Sequence, residues 1–194
     1  MTKPIVSKPI TMLINKTIEN ASFPNNLKEA QVVSLHKKNS QLDVGYYRPV
    51  SILPVVSKFF ERAIYRRLSQ YFENIFLPFL SVFRPGFGCN TAPLKIIKDW
   101  KKAIDFNRYT AAVLVDLSKA FDCQPQDRLI LKLEAYGLSK SALNLTHIYL
   151  SERKQCVKVG LDFSTWKHIY KGVPQISIIA LYCLKYFLMT FLIL

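Results

Sequence analysis

These 194 residues predict an α+β fold in one unit, and three observations carry that prediction. Apolar residues recur at three- and four-residue steps from Val56 to Tyr71, the period of an amphipathic helix. A continuous apolar run at 111–115 stops on Asp116, the pattern of a strand covered on both faces. QCVKVG and TWKHIYKG, late in the chain, have the β-branched and aromatic content of two short strands joined by a turn at 160–164. No linker composition and no internal repeat divides the sequence.

Residues 1–22 read as an N-terminal extension or connection, with a short helix from Pro9 to Asn20 whose Met12, Leu13 and Thr17 fall near one face. AQVVSL, residues 30–35, reads as a strand leading to the basic pair Lys37 and Lys38. LDVGYYRPVSI follows as a turn and an extended piece, because Arg48 precedes a proline and is biased away from helix. The helix at 54–73 carries proline in its first turn, with Lys58, Arg62, Arg66 and Arg67 among the apolar positions. LPFLSVFRPGFGCNT is an irregular connection rich in glycine and proline. A second helix spans 91–105, started by Thr91 and Pro93 and buried through Leu94, Ile97, Trp100 and Ile104. After the strand at 110–115, a helix from about 125 to 136 stops at Gly137, a good left-handed terminator. Ser139 caps a last helix at 140–150.

Composition narrows the class. Half the residues are apolar, with ten Tyr and thirteen Phe, which excludes a disordered chain. The net charge of +14, from 27 Lys and Arg against 13 acids, favours contact with nucleic acid or with an acidic membrane surface. Cys89, Cys123, Cys156 and Cys183 are too far apart for a local metal knuckle and suggest no disulfide framework, so reduced thiols are expected. His36, His147 and His168 form no ligand pattern. The opening MTKPIVSKPITMLINKTI lacks the apolar core and cleavage site of a secretory signal.

The end of the apolar run is the point where chemistry enters. A carboxylate at a sheet edge, with the backbone carbonyl of Leu117 beside it, suits a hard divalent cation. From spacing alone, the plainer reading is that Asp116 caps a turn. Asp122, six residues on, could cap the next segment.

VLVDLSKAFD resembles the first catalytic palm motif of reverse transcriptases from non-long-terminal-repeat retrotransposons of the jockey-like kind. LKEAQVVSLHKK, YYRPVSILPVVSKFFERAIYRRL, FRPGFGCNTA, LILKLEAYGLSKSALNLTHIYLSERKQCVKV and GVPQISI resemble the same family in the expected order. Together they run from about residue 23 to residue 178. The resemblance implies a right-hand polymerase fold, with fingers at about 23–105, an incomplete palm at about 106–178 and a degenerate apolar tail at 179–194. It implies an RNA-directed DNA polymerase acting by two-metal nucleotidyl transfer. Magnesium, or manganese in its place, would be the ion. An RNA template, a DNA primer and deoxynucleoside triphosphates would be the partners, and no specific protein partner is implied.

By the same resemblance, Asp116 is the first metal-binding carboxylate, with Leu117 adding its carbonyl. Phe121 matches a bulky aromatic packed against the sugar of the incoming nucleotide, leaving no room for a 2′ hydroxyl. Arg48 matches a fingers arginine that pairs with triphosphate oxygens, for which planar guanidinium donors are suited. Lys37 or Lys38 would supply a second cation, the choice between them open. Gln175 matches a contact to nucleotide or template. Arg84 falls in the FRPG loop that steers template, and Arg62 and Arg66 lie on a basic helix face toward it. Such phosphate contacts bind without regard to sequence and weaken with salt.

The chain also departs from the family pattern. Ile176 stands where the family has a glycine, and Gln126 where it usually has a histidine. The serine before Thr91 is missing, and ISIIALYCL replaces the usual segment after Gln175. The sequence contains no adjacent Asp-Asp pair, so the isolated chain is expected to be inactive as a polymerase. A catalytically dead RNA- or DNA-binding remnant is the alternative, marked by salt-dependent RNA binding lost on charge reversal at Arg48 and Arg84 but indifferent to D116A. A small membrane-associated protein is a third, through the apolar stretch 176–194, against which the central Lys185 argues. The expected compartment is intracellular, nuclear or cytoplasmic.

Overall fold

Helix α2 spans Val55–Phe72, with Pro54 just before it, and its apolar stripe turns Phe60, Ile64 and Phe72 into the core. A computed structural model of the chain describes residues 3–72, 75, 86, 88, 90–113, 120–175, 177–180 and 183–184. Against α2 pack α4 (Gln126–Ala135) through Leu129 and Leu133, and α5 (Lys140–Leu150) through Leu143, Leu145, Tyr149 and Leu150. Phe23, Leu138, Val173, Ile179, Ala180 and Cys183 join this core. Each fully buried Leu or Phe contributes about 1.5–3 kcal/mol of transfer free energy. Gly137, at φ +84°, ends α4, and the Ser139 hydroxyl accepts a hydrogen bond from the Ala142 amide at the start of α5.

Helix α1 runs Lys3–Glu19 with Pro9 inside it, longer at its start than the sequence signals suggest. Its inward face is Ile14, Thr17 and Ile18, while Met12 and Leu13 are exposed. Thr17 was placed correctly and the other two were not, because the packing stripe falls one to two residues further along. Helix α3 (Thr91–Asp105) has the expected bounds but not the expected burial. Leu94, Ile97, Trp100 and Ile104 are exposed, and α3 carries no buried residue. Among the described residues nothing covers its apolar face.

Among the described residues one mixed sheet holds five strands, in the order β2-β1-β3-β4 with β5 also paired to β3. β1 (Glu29–His36) pairs antiparallel with β2 (Tyr47–Ile52) and parallel with β3 (Arg153–Val159). β4 (Asp162–Phe163) and β5 (Lys167–Ile169) both pair antiparallel with β3, at its two ends. The late hairpin is therefore as expected, with one more short strand in its loop. Residues 110–113, expected as a covered strand, have no regular structure and Ala111, Ala112 and Val113 are exposed. The remainder of that run, Asp116, Leu117, Arg84, Ile176 and Lys185 lie outside the described residues. Among the described residues no helix is long and apolar enough to cross a membrane. Cys123, Cys156 and Cys183 are free thiols.

Burial makes the fold sensitive to alkali. The Cys183 thiol is pushed from its ordinary 9.0 up to about 12, chiefly by desolvation. Tyr149 is raised well above 10.0 by burial and then by Glu61, with Arg153 opposing. In the unfolded chain both groups ionise earlier, so their contribution is complete below pH 9 and is lost as pH rises toward 12. Lys28 and Lys132, lowered mainly by burial, push the other way below their ordinary 10.5, over the lower part of this window. Urea unfolding at pH 8 and pH 10.5 should therefore show C183A losing about 2 kcal/mol less than the parent, at about 1.4 kcal/mol per pH unit. Parallel losses in the two proteins would remove the thiol from this account.

Candidate functional site

The segment Lys171–Gln175 is seated on the residues that follow the expected motif aspartate. Gly172 donates its amide to the Gln124 carbonyl at 2.8 Å, and Val173 donates to the Phe121 carbonyl at 2.8 Å. The Gln126 amide nitrogen donates to the Gly172 carbonyl at 3.0 Å. Gln175 Nε2 reaches the Asp122 carboxylate at 3.2 and 3.4 Å. Only glycine serves at 172, where φ is +81° and an added Cβ would lie 2.6 Å from two carbonyl oxygens.

Just after this loop, a buried network from three distant segments holds the chain. Ser177 caps a helical segment beginning at Ile178, its hydroxyl accepting from the Ala180 amide at 3.2 Å. Glu61, fully buried on α2, accepts from the Ile178 amide at 2.9 Å through Oε2. Its Oε1 accepts from the Tyr149 hydroxyl at 2.8 Å. The tyrosine's one proton is thus committed, so Ser177 donates across the 2.7 Å contact to Tyr149. A carboxylate at a helix N-terminus is favoured by the unpaired amides and the dipole there. The raised Tyr149 pKa keeps the phenol protonated for its role as donor.

A cleft of about 220 Å³ opens between the loop and one face of the sheet. Val32, Pro49, Ser51, Arg153, Gln155 and Ile169 form the sheet wall; Asp122 and 171–175 form the other. Side chains alternate across a strand, which decides what reaches this cleft. Pro49 and Ser51 face it, and Val32 is registered opposite Ser51. Arg48, out of phase with both and registered opposite Leu35, belongs to the other face and is exposed.

Of the expected site residues, Asp116, Leu117 and Arg84 are outside the described set. Gln175 lines the cleft beside Asp122. Phe121 is half-buried against the core and does not line the cleft; its carbonyl is what anchors Val173. Lys37 and Lys38 are exposed in the connection from β1 to β2, where the Lys37 amide donates to the Tyr46 carbonyl at 2.8 Å. Arg62 and Arg66 are exposed on α2. None of these cations lines the cleft.

Sequence reasoning missed Arg153, Glu61, Tyr149 and Ser177. Glu61 left a signal, since Ser57, Phe60, Glu61 and Ile64 follow the same three- and four-residue steps and all are buried. Arg153 left none beyond its place at a strand start. Among the described residues no three His, Cys, Asp or Glu side chains group as a metal site.

The sequence matches the family model described as reverse transcriptase (RNA-dependent DNA polymerase) over residues 35–192. The chain belongs to the reverse transcriptase family. It is 30% identical over 179 residues to a probable RNA-directed DNA polymerase from transposon BS of Drosophila melanogaster, which covers 88% of this chain and 19% of that protein. It is 30% identical over 187 residues to the corresponding protein of transposon X-element from the same fly, covering 90% of this chain and 20% of the relative. The RNA-directed DNA polymerase from mobile element jockey of Drosophila funebris is 27% identical over 173 residues, 88% of this chain and 19% of its own length. The chain thus spans about a fifth of the curated relatives it matches. Reverse transcriptases generally use divalent metal ions, and this α+β chain with its mixed sheet is consistent with that family's fold.

Proposed function

We propose that this chain supplies the fingers and the front of the palm of a retrotransposon RNA-directed DNA polymerase, in the right-hand arrangement. Residues 23–105 serve as fingers and 106–178 as palm, with β1 and β3 sharing one sheet across that boundary. The observation that supports it best is the seating of the GVPQ loop on Phe121 and Asp122, since it joins two motifs about fifty residues apart at one cleft. Gln175 then faces nucleotide or template. By motif Phe121 is assigned to the nucleotide sugar, which requires its half-buried ring to turn toward the cleft, and Arg48 with either Lys37 or Lys38 offers cations to phosphate from the β1–β2 arm, outside the cleft walls. Arg62, Arg66 and Arg84 track the template backbone.

The described residues do not by themselves make a metal site, and Asp122 is occupied by Gln175. The metal assignment therefore rests on Asp116 and Leu117 as motif residues, with magnesium as the ion and manganese as its substitute. When bound, such an ion would neutralise charge on reacting phosphate oxygens. RNA template, DNA primer and deoxynucleoside triphosphates are the proposed partners.

Transplanting residues 35–178 into the jockey polymerase tests this reading. Template-dependent extension should survive the transplant and fall to background in D116N. Extension that is equal in both proteins would overturn it. The 194-residue chain alone, which has no Asp-Asp pair, should extend a primer no better than its own D116A variant.

A further inference from the structure

Two serines in this sequence follow a pair of cations at their third and second preceding positions. They are Ser69, after Arg66 and Arg67, and Ser40, after Lys37 and Lys38. A cation pair spaced this way along an extended chain complements the acid-lined substrate groove of a basic-directed protein kinase. The fold separates the two candidates. Ser69 lies inside α2, half-buried, and its hydroxyl donates to the Arg66 carbonyl at 3.0 Å. Three residues of helix rise about 4.5 Å, against roughly 10 Å for three extended residues. Arg66 is therefore wound one turn behind the hydroxyl instead of strung out ahead of it. Extending this stretch means melting the end of α2, where Phe72 is fully buried.

Ser40 occupies the arm between β1 and β2, where every residue from Lys37 to Tyr46 is exposed. The Lys37 amide closes the base of the arm on the Tyr46 carbonyl at 2.8 Å, and the Tyr47 hydroxyl donates to the Gln41 carbonyl at 2.9 Å. Among the described residues no backbone–backbone hydrogen bond involves Lys38, Asn39 or Ser40. The Ser40 hydroxyl accepts from the Leu42 amide at 3.2 Å, which leaves its own proton uncommitted. The arm's acid, Asp43, is turned to the Gly45 amide at 2.8 Å. A kinase can thus draw out Lys38–Ser40 without breaking the sheet.

We propose that Ser40 is a phosphorylation site for a protein kinase with an acid-lined substrate groove, and that its phosphate switches off the cations of the arm. The γ-phosphoryl group of a nucleoside triphosphate passes to Ser40 Oγ. A P–O bond forms there, the bond to the β–γ bridging oxygen breaks, and the nucleoside diphosphate leaves. The hydroxyl proton goes to the kinase's catalytic base. The phosphoserine carries about −1.5 to −2 charges at neutral pH, which offsets the two lysines just before it. The site itself rests on exposure and spacing. The switch rests on the function proposed above, in which Arg48 and Lys37 or Lys38 meet phosphate from this arm.

The test incubates the full 194-residue chain with radiolabelled ATP and, in separate reactions, the cyclic-AMP-dependent kinase catalytic subunit and protein kinase C. The native chain should be labelled by at least one of them, and peptide mapping should place the phosphate on Ser40. Ser40→Ala, a change in an exposed loop, should lose the label, while Ser69→Ala should be labelled like the parent. Single-stranded RNA is then titrated into phosphorylated and untreated chain. At about 100 mM salt the phosphorylated chain should bind at least about threefold more weakly, with a slope of log affinity against log salt shallower by about 1–1.4. Ser40→Ala carried through the same kinase reaction should bind RNA as the untreated parent does. No transfer by either kinase, or transfer that maps to Ser69, overturns the site. Phosphate on Ser40 with unchanged RNA affinity and salt slope overturns the switch. The transplant with its D116N comparison judges the polymerase reading separately, since neither labelling nor its absence bears on primer extension there.

Discussion

Replacing Gly172 with alanine is expected to cost about 3–5 kcal/mol, a large share of the roughly 5–15 kcal/mol that holds a domain folded. The new Cβ would sit 2.6 Å from the carbonyl oxygens of Phe121 and Asp122 and 2.8 Å from the Asp122 carbonyl carbon. These are backbone atoms, which cannot rotate aside. Relief requires moving the loop, which breaks the Gly172–Gln124, Val173–Phe121 and Gln126–Gly172 hydrogen bonds. Each contributes about 0.5–1.5 kcal/mol, and the left-handed backbone adds about 1–2 kcal/mol for any residue with a Cβ. Gly160 is the control, because its φ is also positive, at +60°, but a Cβ there meets nothing within 4 Å. Urea unfolding should therefore rank G172A well below G160A, with G160A losing only the backbone component. Equal losses would mean that the loop is not seated on 121–124.

Glu61→Ala should be comparably damaging, at about 3–5 kcal/mol. It strips the acceptor from two buried donors, the Tyr149 hydroxyl and the Ile178 amide. An orphaned buried donor costs about 1–3 kcal/mol, and the vacated volume adds a cavity cost. Glu61→Gln retains one carbonyl oxygen of similar shape but turns an NH₂ toward the second donor, so it should lose less, about 1–2 kcal/mol. Tyr149→Phe attacks the same network from the other side, leaving a carboxylate oxygen and the Ser177 hydroxyl short of a partner. A double-mutant cycle between Glu61→Gln and Tyr149→Phe should show coupling of about 1 kcal/mol or more, as residues in one network do. Strict additivity in thermal unfolding would dissolve the network into independent contacts.

Helix bounds were legible from short-range signals. The 54–73, 91–105 and 140–150 expectations meet helices at Val55–Phe72, Thr91–Asp105 and Lys140–Leu150. Pro54, Thr91, Gly137 and Ser139 act within a turn of where they stand, so no distant partner is needed to read them. Which face of a helix becomes buried is a different matter. The α3 stripe of Leu94, Ile97, Trp100 and Ile104 has ideal spacing and is exposed, because spacing describes a capacity for burial and says nothing of what lies opposite. The site was legible only in part. Gln175 lines the cleft beside Asp122, which the sequence offered only as a cap of the next segment, while Arg48 falls on the far face of β2 through strand phase alone.

By itself, the sequence determined the reverse transcriptase family, the helix ends other than the start of α1, and the strands that flank the cleft, since motif identity, capping and periodicity are local properties. Only the tertiary structure decided that Glu61, Tyr149 and Ser177 are joined by hydrogen bonds, that β1 runs parallel beside β3, and that Arg153 is buried with Nε and Nη2 unpaired. Those facts depend on which surfaces are withdrawn from water together. A charged side chain reads as surface in a sequence until the elements that desolvate it have been brought around it.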